Sequence, residues 1–239
     1  MTRGILIAGN ESSLFSAAAA EAVKRVKSFA SALIPNRFPL PEGSGAAQPK
    51  PETAGAVPLE WNPASPISAR TLVLAAENRL EHINDAIVIC SPPAVYKTSG
   101  SLSPEEIEIL VNDHIKGWFF LIRELALYFR RAGSGSLSLV APEAPAEAAA
   151  GAGRDWGRDA RNKNNQADLL GSSAAAAFRA FAQSVLASSA NEPFLTMGFG
   201  SADAGDEGEF AAWFFRIVDE GARKNSCRWH KFSKIKFFR

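Results

Sequence analysis

Short apolar runs alternate along the chain with longer stretches in which apolar residues recur every three or four positions. Residues 4–8 form a strand-like run, ended by Gly9-Asn10. The Ala-rich stretch 12–27 follows, with Leu14, Ala18, Ala22 and Val26 on one face, so strand, tight turn and helix are predicted. A second strand is expected at 29–34, stopped by Pro35, and an irregular loop at 38–57, rich in Pro, Gly and Ala. Residues 58–61 are read as the end of a third strand. Ser65-Pro66 then has the form of an N-cap with proline at the first helical position, opening a helix to about Leu80.

The run 86–90 is apolar without interruption, as in a strand buried on both faces. Ser103, Pro104 and Glu106 make a capping box that starts one long helix to about Arg131. A fifth strand is predicted at 136–141, a loop at 143–170, a helix at 172–188 and a sixth strand at 194–199. A helix at 208–222 and a last strand at 228–238 complete the pattern. Strands alternating with helices imply a parallel sheet of about seven strands: an α/β, doubly wound, Rossmann-like fold in three α/β/α layers. One domain over residues 1–239 is expected.

Composition narrows the classes. Of 239 residues, 46% are apolar and 21% charged, which is globular composition. The net charge of +1 supplies no global field for a nucleic acid, and nucleic acid is not the expected partner. Cys90 and Cys227 are far apart and lack metal-ligand spacing, so neither a disulfide framework nor a metal site is expected. Cys90 is read as a small buried hydrophobe. No stretch approaches the roughly 18 apolar residues of a membrane span, and the apolar run after Met1 is too short for a secretory leader. A cytoplasmic protein is expected.

The order and spacing resemble the short-chain dehydrogenase/reductase family over nearly the whole chain. GILIAGNESSLFSAAAAEAV stands where that family has its first strand, glycine turn and helix. DAIVICSPP stands at its fourth strand and the following Asn-Asn-Ala-Gly. HIKGWFFLIRELALYFRRAGSGSLSLVAP follows its long helix and fifth strand, and SSAAAAFRAFAQSVLA is similar to the helix that carries Tyr-x-x-x-Lys. The resemblance implies an NAD(P)-dependent oxidoreductase, a homodimer or homotetramer, and a last strand placed at a subunit contact.

The functional positions depart from the family. Its cofactor turn, Thr-Gly-x-x-x-Gly-x-Gly, corresponds here to Ala8-Gly9-Asn10-Glu11-Ser12-Ser13-Leu14-Phe15, with only the first glycine kept. Those glycines let a backbone approach a pyrophosphate at a helix N-terminus. Phe15 is expected to crowd that approach and Glu11 to oppose the phosphate charge. Gly9, Asn10, Arg37 and Ser91 are the remaining candidates for cofactor contact. The family's catalytic Asn, Ser, Tyr and Lys fall on His114, Pro142, Ser172 and Ala176. Realignment does not restore the motif, because the chain has two tyrosines and they precede Gly100 and Ala132 by four positions.

The reading is therefore a non-catalytic protein of this type, acting in assembly or in binding an unidentified small molecule, without a cofactor. The alternatives are an NAD(P)-dependent oxidoreductase with a rearranged site using Tyr96, Lys97 or His114, and a nucleotide-sensing or anion-binding module. The last would act through Arg37 or the basic segment 223–239, which carries seven basic residues interleaved with aromatics. The simpler reading of that segment is an edge strand guarded by its lysines.

Overall fold

Odd and even residues of the first strand go to different cores, and that alternation organises the molecule. A computed structural model describes residues 3–34, 55–92, 97, 99–141, 169–201 and 206–233. In it β1 (Ile5–Asn10), β2 (Phe29–Ile34), β3 (Ala56–Pro58), β4 (Asp85–Ile89), β5 (Ser136–Val140), β6 (Leu195–Ser201) and β7 (Arg228–Phe232) form one sheet. Every pairing is parallel and the order is β3-β2-β1-β4-β5-β6-β7. Ile5 and Ile7 pack under α1 (Ser13–Val23) with Phe15, Phe214 and Phe215. Leu6 and Ala8 pack on the opposite face with Leu72, Leu121 and Phe129. The second face is covered by α2 (Pro66–Leu80), α4 (Gly117–Ala132) and α5 (Leu169–Ser188), the first by α1 and α6 (Glu207–Glu220). This is the doubly wound, three-layer arrangement expected.

The caps read from the sequence are present. Ser65 accepts from the Ser68 amide at the start of α2, and Ser103 with Glu106 closes a capping box on α3 (Pro104–Val111). Several boundaries differ. β3 spans Ala56–Pro58 rather than ending at Trp61, so the tail of the expected loop is strand. Leu59 donates one more main-chain bond to the Ser31 carbonyl at 2.8 Å, after which Trp61 turns inward. β4 starts one residue early, at Asp85, because Arg3 and Ser136 neutralise and bond its carboxylate. α1 ends at Val23, and α6 ends at Glu220 because Gly221 takes a left-handed φ of 55°.

The largest departure is in the long helix. It is interrupted by a π-helical turn, Asn112–Lys116, between α3 and α4. Gly117 ends that turn, its amide bonding the Asn112 carbonyl, and a β-carbon there would lie 2.5 Å from Pro63. The loop after β3 thus presses on a position that only glycine fits. Helix α5 begins at Leu169, so the last two residues of the expected 143–170 loop are helical. The rest of that loop, most of 38–57, and 234–238 of the expected last strand lie outside the described residues. β7 is an edge strand, with Arg228 and Lys231 exposed and Trp229 half-buried.

Candidate functional site

In an open parallel sheet, ligands bind beyond the carboxyl ends of the strands where the winding reverses. Here that point lies between β1 and β4, because the chain runs outward through β2 and β3 on one side and through β5 to β7 on the other. Gly9 and Asn10 end β1, and Ser91 follows β4 by two residues. The fold therefore brings together three of the four residues proposed from sequence for cofactor contact. Arg37 lies outside the described residues.

The Asn10 side chain is already engaged. The Asn10 Oδ1 accepts from the Ser91 amide at 3.0 Å, and its Nδ2 lies 2.9 Å from His114 Nδ1. Asn10 and His114 are 3% and 1% exposed, so this bridge is shielded from water. Burial pushes the His114 imidazole down to about 4, so it is neutral at pH 7.

On the other face of β1, the Phe15 ring rests against Gly9. A β-carbon at Gly9 would sit 2.7 Å from Phe15 Cδ2. Phe15 is 3% exposed and belongs to the core formed by α1 and α6. The start of α1 is self-capped: Ser12 Oγ accepts from the Phe15 amide at 3.1 Å. Next to it, Ser13 Oγ donates to the Glu207 carboxylate at 3.2 Å, and Glu11 is exposed.

Of the positions that the resemblance assigns to catalysis, His114 is buried in the π turn, while Ser172 and Ala176 are exposed near the start of α5. Pro142 and Tyr96 lie outside the described residues. Lys97, considered with Tyr96 as a cleft pair, instead donates at 2.5 Å to Glu106, the acid of the α3 capping box. Tyr128 is structural: its hydroxyl accepts from the Ile83 amide at 2.9 Å and lies 3.0 Å from His82 Nδ1.

Sequence reasoning missed four side chains around this edge. Trp61 packs on Trp118 with ring centroids 5.4 Å apart, and Trp118 meets Phe178 edge-on at 6.0 Å. Glu207 comes from a helix almost two hundred positions along the chain. An isolated tryptophan between two prolines, Trp61, was the one available signal. Among the described residues, no cluster of three or more His, Cys, Asp or Glu side chains could hold a metal ion.

No family model matches the chain, and no curated protein matches it. Solved structures do. A short chain dehydrogenase from Mycobacterium smegmatis superposes with a TM-score of 0.68 at 11% identity, over 98% of this chain and 94% of that one. The chain has the short-chain dehydrogenase fold. A doubly substituted short-chain dehydrogenase/reductase of Serratia marcescens gives a TM-score of 0.66 at 7% identity, over 96% of this chain and 95% of that one. An NADH-dependent reductase in complex with NAD gives 0.65 at 11% identity, over 97% of this chain and 95% of that one. At these identities the likeness concerns the fold. Among the described residues, no helix is long and apolar enough to cross a membrane.

Proposed function

We propose that this chain is a non-catalytic protein on the short-chain dehydrogenase fold, acting in assembly or ligand binding. The observation that carries the reading is Phe15. A dinucleotide pyrophosphate needs a bare glycine backbone at the turn after β1 and free amides at the following helix N-terminus. Here a core aromatic ring covers Gly9, Ser12 takes the Phe15 amide, and the Glu207 carboxylate stands at Ser13. These residues do not fit the group that the fold implies. Among the described residues, proton transfer lacks a donor of the family type as well. Tyr128 is occupied with Ile83 and His82, Ala176 has no charge, and His114 is neutral and bonded to Asn10.

The test is a fluorescence titration with NADH and NADPH, alongside turnover of a panel of carbonyls and alcohols. No saturable binding up to millimolar cofactor and no turnover are expected. Micromolar binding or measurable turnover would overturn the reading and restore an oxidoreductase with a rearranged site.

The assembly we propose is a homodimer or homotetramer through α4 and α5. A groove of about 240 Å³ between them is lined by Ile122, Leu127, Phe181 and Val185, with Arg130 and Glu192 at its side. Leu127 is 41% exposed, and Phe119 stacks on Phe181 at 3.9 Å. Exposed apolar surface of this kind on paired helices supports close helix contact. Light scattering should give a multiple of the chain mass, lowered by Leu127→Glu, and a monomer at high concentration would remove the proposal. A cytoplasmic location goes with the reading, since Cys90 and Cys227 are both free thiols.

A further inference from the structure

We propose that His114 is an acid-sensitive latch: its neutral ring, through the Asn10 amide, ties the ends of β1 and β4 to the π turn, and a proton on Nδ1 opens the tie. The proposal does not rest on the non-catalytic reading.

The argument begins with Asn10. Its Oδ1 receives the Ser91 amide, which can only donate, so Nδ2 is the atom that faces His114. Nδ2 is also only a donor. His114 Nδ1 must therefore present its lone pair, and the neutral ring carries its proton on Nε2. Protonating Nδ1 sets donor against donor across the 2.9 Å contact. Flipping the Asn10 amide does not help, because Nδ2 would then face the Ser91 N–H. No orientation of Asn10 satisfies both neighbours once the imidazole is charged. A buried donor left without an acceptor is costly, so the bridge opens instead.

The bridge lies where opening has an effect. It joins two adjacent strand ends to an irregular turn in an otherwise continuous helix, and such π turns often mark functional positions. Few ionisable groups lie on the described elements packed against His114. On its own turn Asp113 is buried and Lys116 exposed, and on α3 Glu105 and Glu108 are exposed while Glu106 is held by Lys97. The only ionisable group on α5 is Arg179, the first on α4 is Arg123, and β1 has none. Cys90, after β4, is a thiol pushed up by burial and stays neutral. Burial is the cause acting on His114.

The closed ring resists protonation down to about 4, while an opened one titrates near its ordinary 6.5. Between those values each unit of acid raises the opened population about tenfold, to about 300-fold overall.

Amide hydrogen exchange of the wild-type chain at pH 7, 6 and 5, corrected for intrinsic rates and repeated in low urea, tests this. Protection of the Ser91 amide should fall about threefold from pH 7 to 6 and about eightfold from pH 6 to 5, and depend little on urea, as for a local opening. Met197 in β6 should exchange only with a larger, urea-dependent opening. In His114→Asn, which keeps an acceptor near the Nδ1 position but cannot titrate, the extra pH slope at Ser91 should vanish. The same slope in that variant, or one shared urea-dependent opening for Ser91 and Met197, would overturn the latch. Should the variant not fold, imidazole ¹⁵N shifts of the wild-type decide. A neutral Nε2–H ring down to pH 5 supports the latch, and an Nδ1–H ring at pH 7 or a charged ring at pH 6 refutes it.

Discussion

At the amino ends of the strands, Arg3 reaches Asp85 at 2.5 Å and Asp219 at 2.6 Å, and Arg25 reaches the same Asp219 at 2.8 Å. Glu21 joins through Arg25 and Lys24, and Ser136 bonds Asp85 at 2.6 Å. At the carboxyl ends of β1 and β4 the buried links are neutral, the Ser91–Asn10–His114 bridge on one face and the Phe15 ring on the other, with the Ser13–Glu207 bond exposed beside them. One edge is held by partly hydrated charge, the other by desolvated amide, imidazole and aromatic groups. Ligand sites usually leave groups unsatisfied at the carboxyl edge, because the ligand will satisfy them. Among the described residues, Asn10 instead bonds both Ser91 and His114, and the Phe15 ring belongs to the core.

Breaking the carboxyl edge should therefore cost most. Phe15→Ala removes a fully packed ring, and a loss of about 3–5 kcal/mol is expected from chemical denaturation. A loss under about 1 kcal/mol would mean that Phe15 does not belong to the core. The same edge should respond first to acid. His114 is held at about 4 in the folded chain against 6.5 unfolded. The unfolded state then binds more protons between those values, so stability falls as pH drops from about 6.5 to 4, by about 3 kcal/mol at most. The amino edge has the opposite sign. Burial alone would raise the Asp219 carboxyl, but hydrogen bonds from Arg3 and Arg25 hold it below its ordinary 3.8. Glu21 is held below 4.5 in the same way by Lys24 and Arg25, against its own burial. Their contribution is complete above those values and is lost only as pH falls further, through the lowered ones. Stability measured at pH 7, 5, 4 and 3 should show two separate declines, and His114→Asn should abolish the first alone.

What the sequence discloses about these edges depends on how local each cause is. The starts of α2 and α3 were legible because Ser65-Pro66 and Ser103-Pro104 with Glu106 act within one helical turn. The crowding of Gly9 was legible because Phe15 follows it by six positions along one strand and one helix. The π turn was not, since its cause lies elsewhere: Pro63 pressing on Gly117, and Asn10 meeting His114 across 104 positions. The start of β3 escaped because three residues, Ala56–Pro58, show no period. Nothing near Ser13 in sequence announces Glu207.

The amino edge supplies the smaller effects, and they sharpen the contrast. Asp85 is 7% exposed and starts a buried strand. Asp85→Ala leaves the Ser136 hydroxyl and the Arg3 Nε without that acceptor, Arg3 keeping Asp219, and a loss of about 1–3 kcal/mol is expected from chemical denaturation. Arg25→Gln removes the contact with Glu21, which keeps Lys24, and the contact with Asp219, whose side chain is 34% exposed. Water and salt screen that pair, so under about 1 kcal/mol is expected, shrinking further in molar salt. Salt should leave the Phe15→Ala deficit unchanged, because no charge is involved. If molar salt weakened both variants alike, the division of the sheet into a charged edge and a neutral one would fail as an account of its stability.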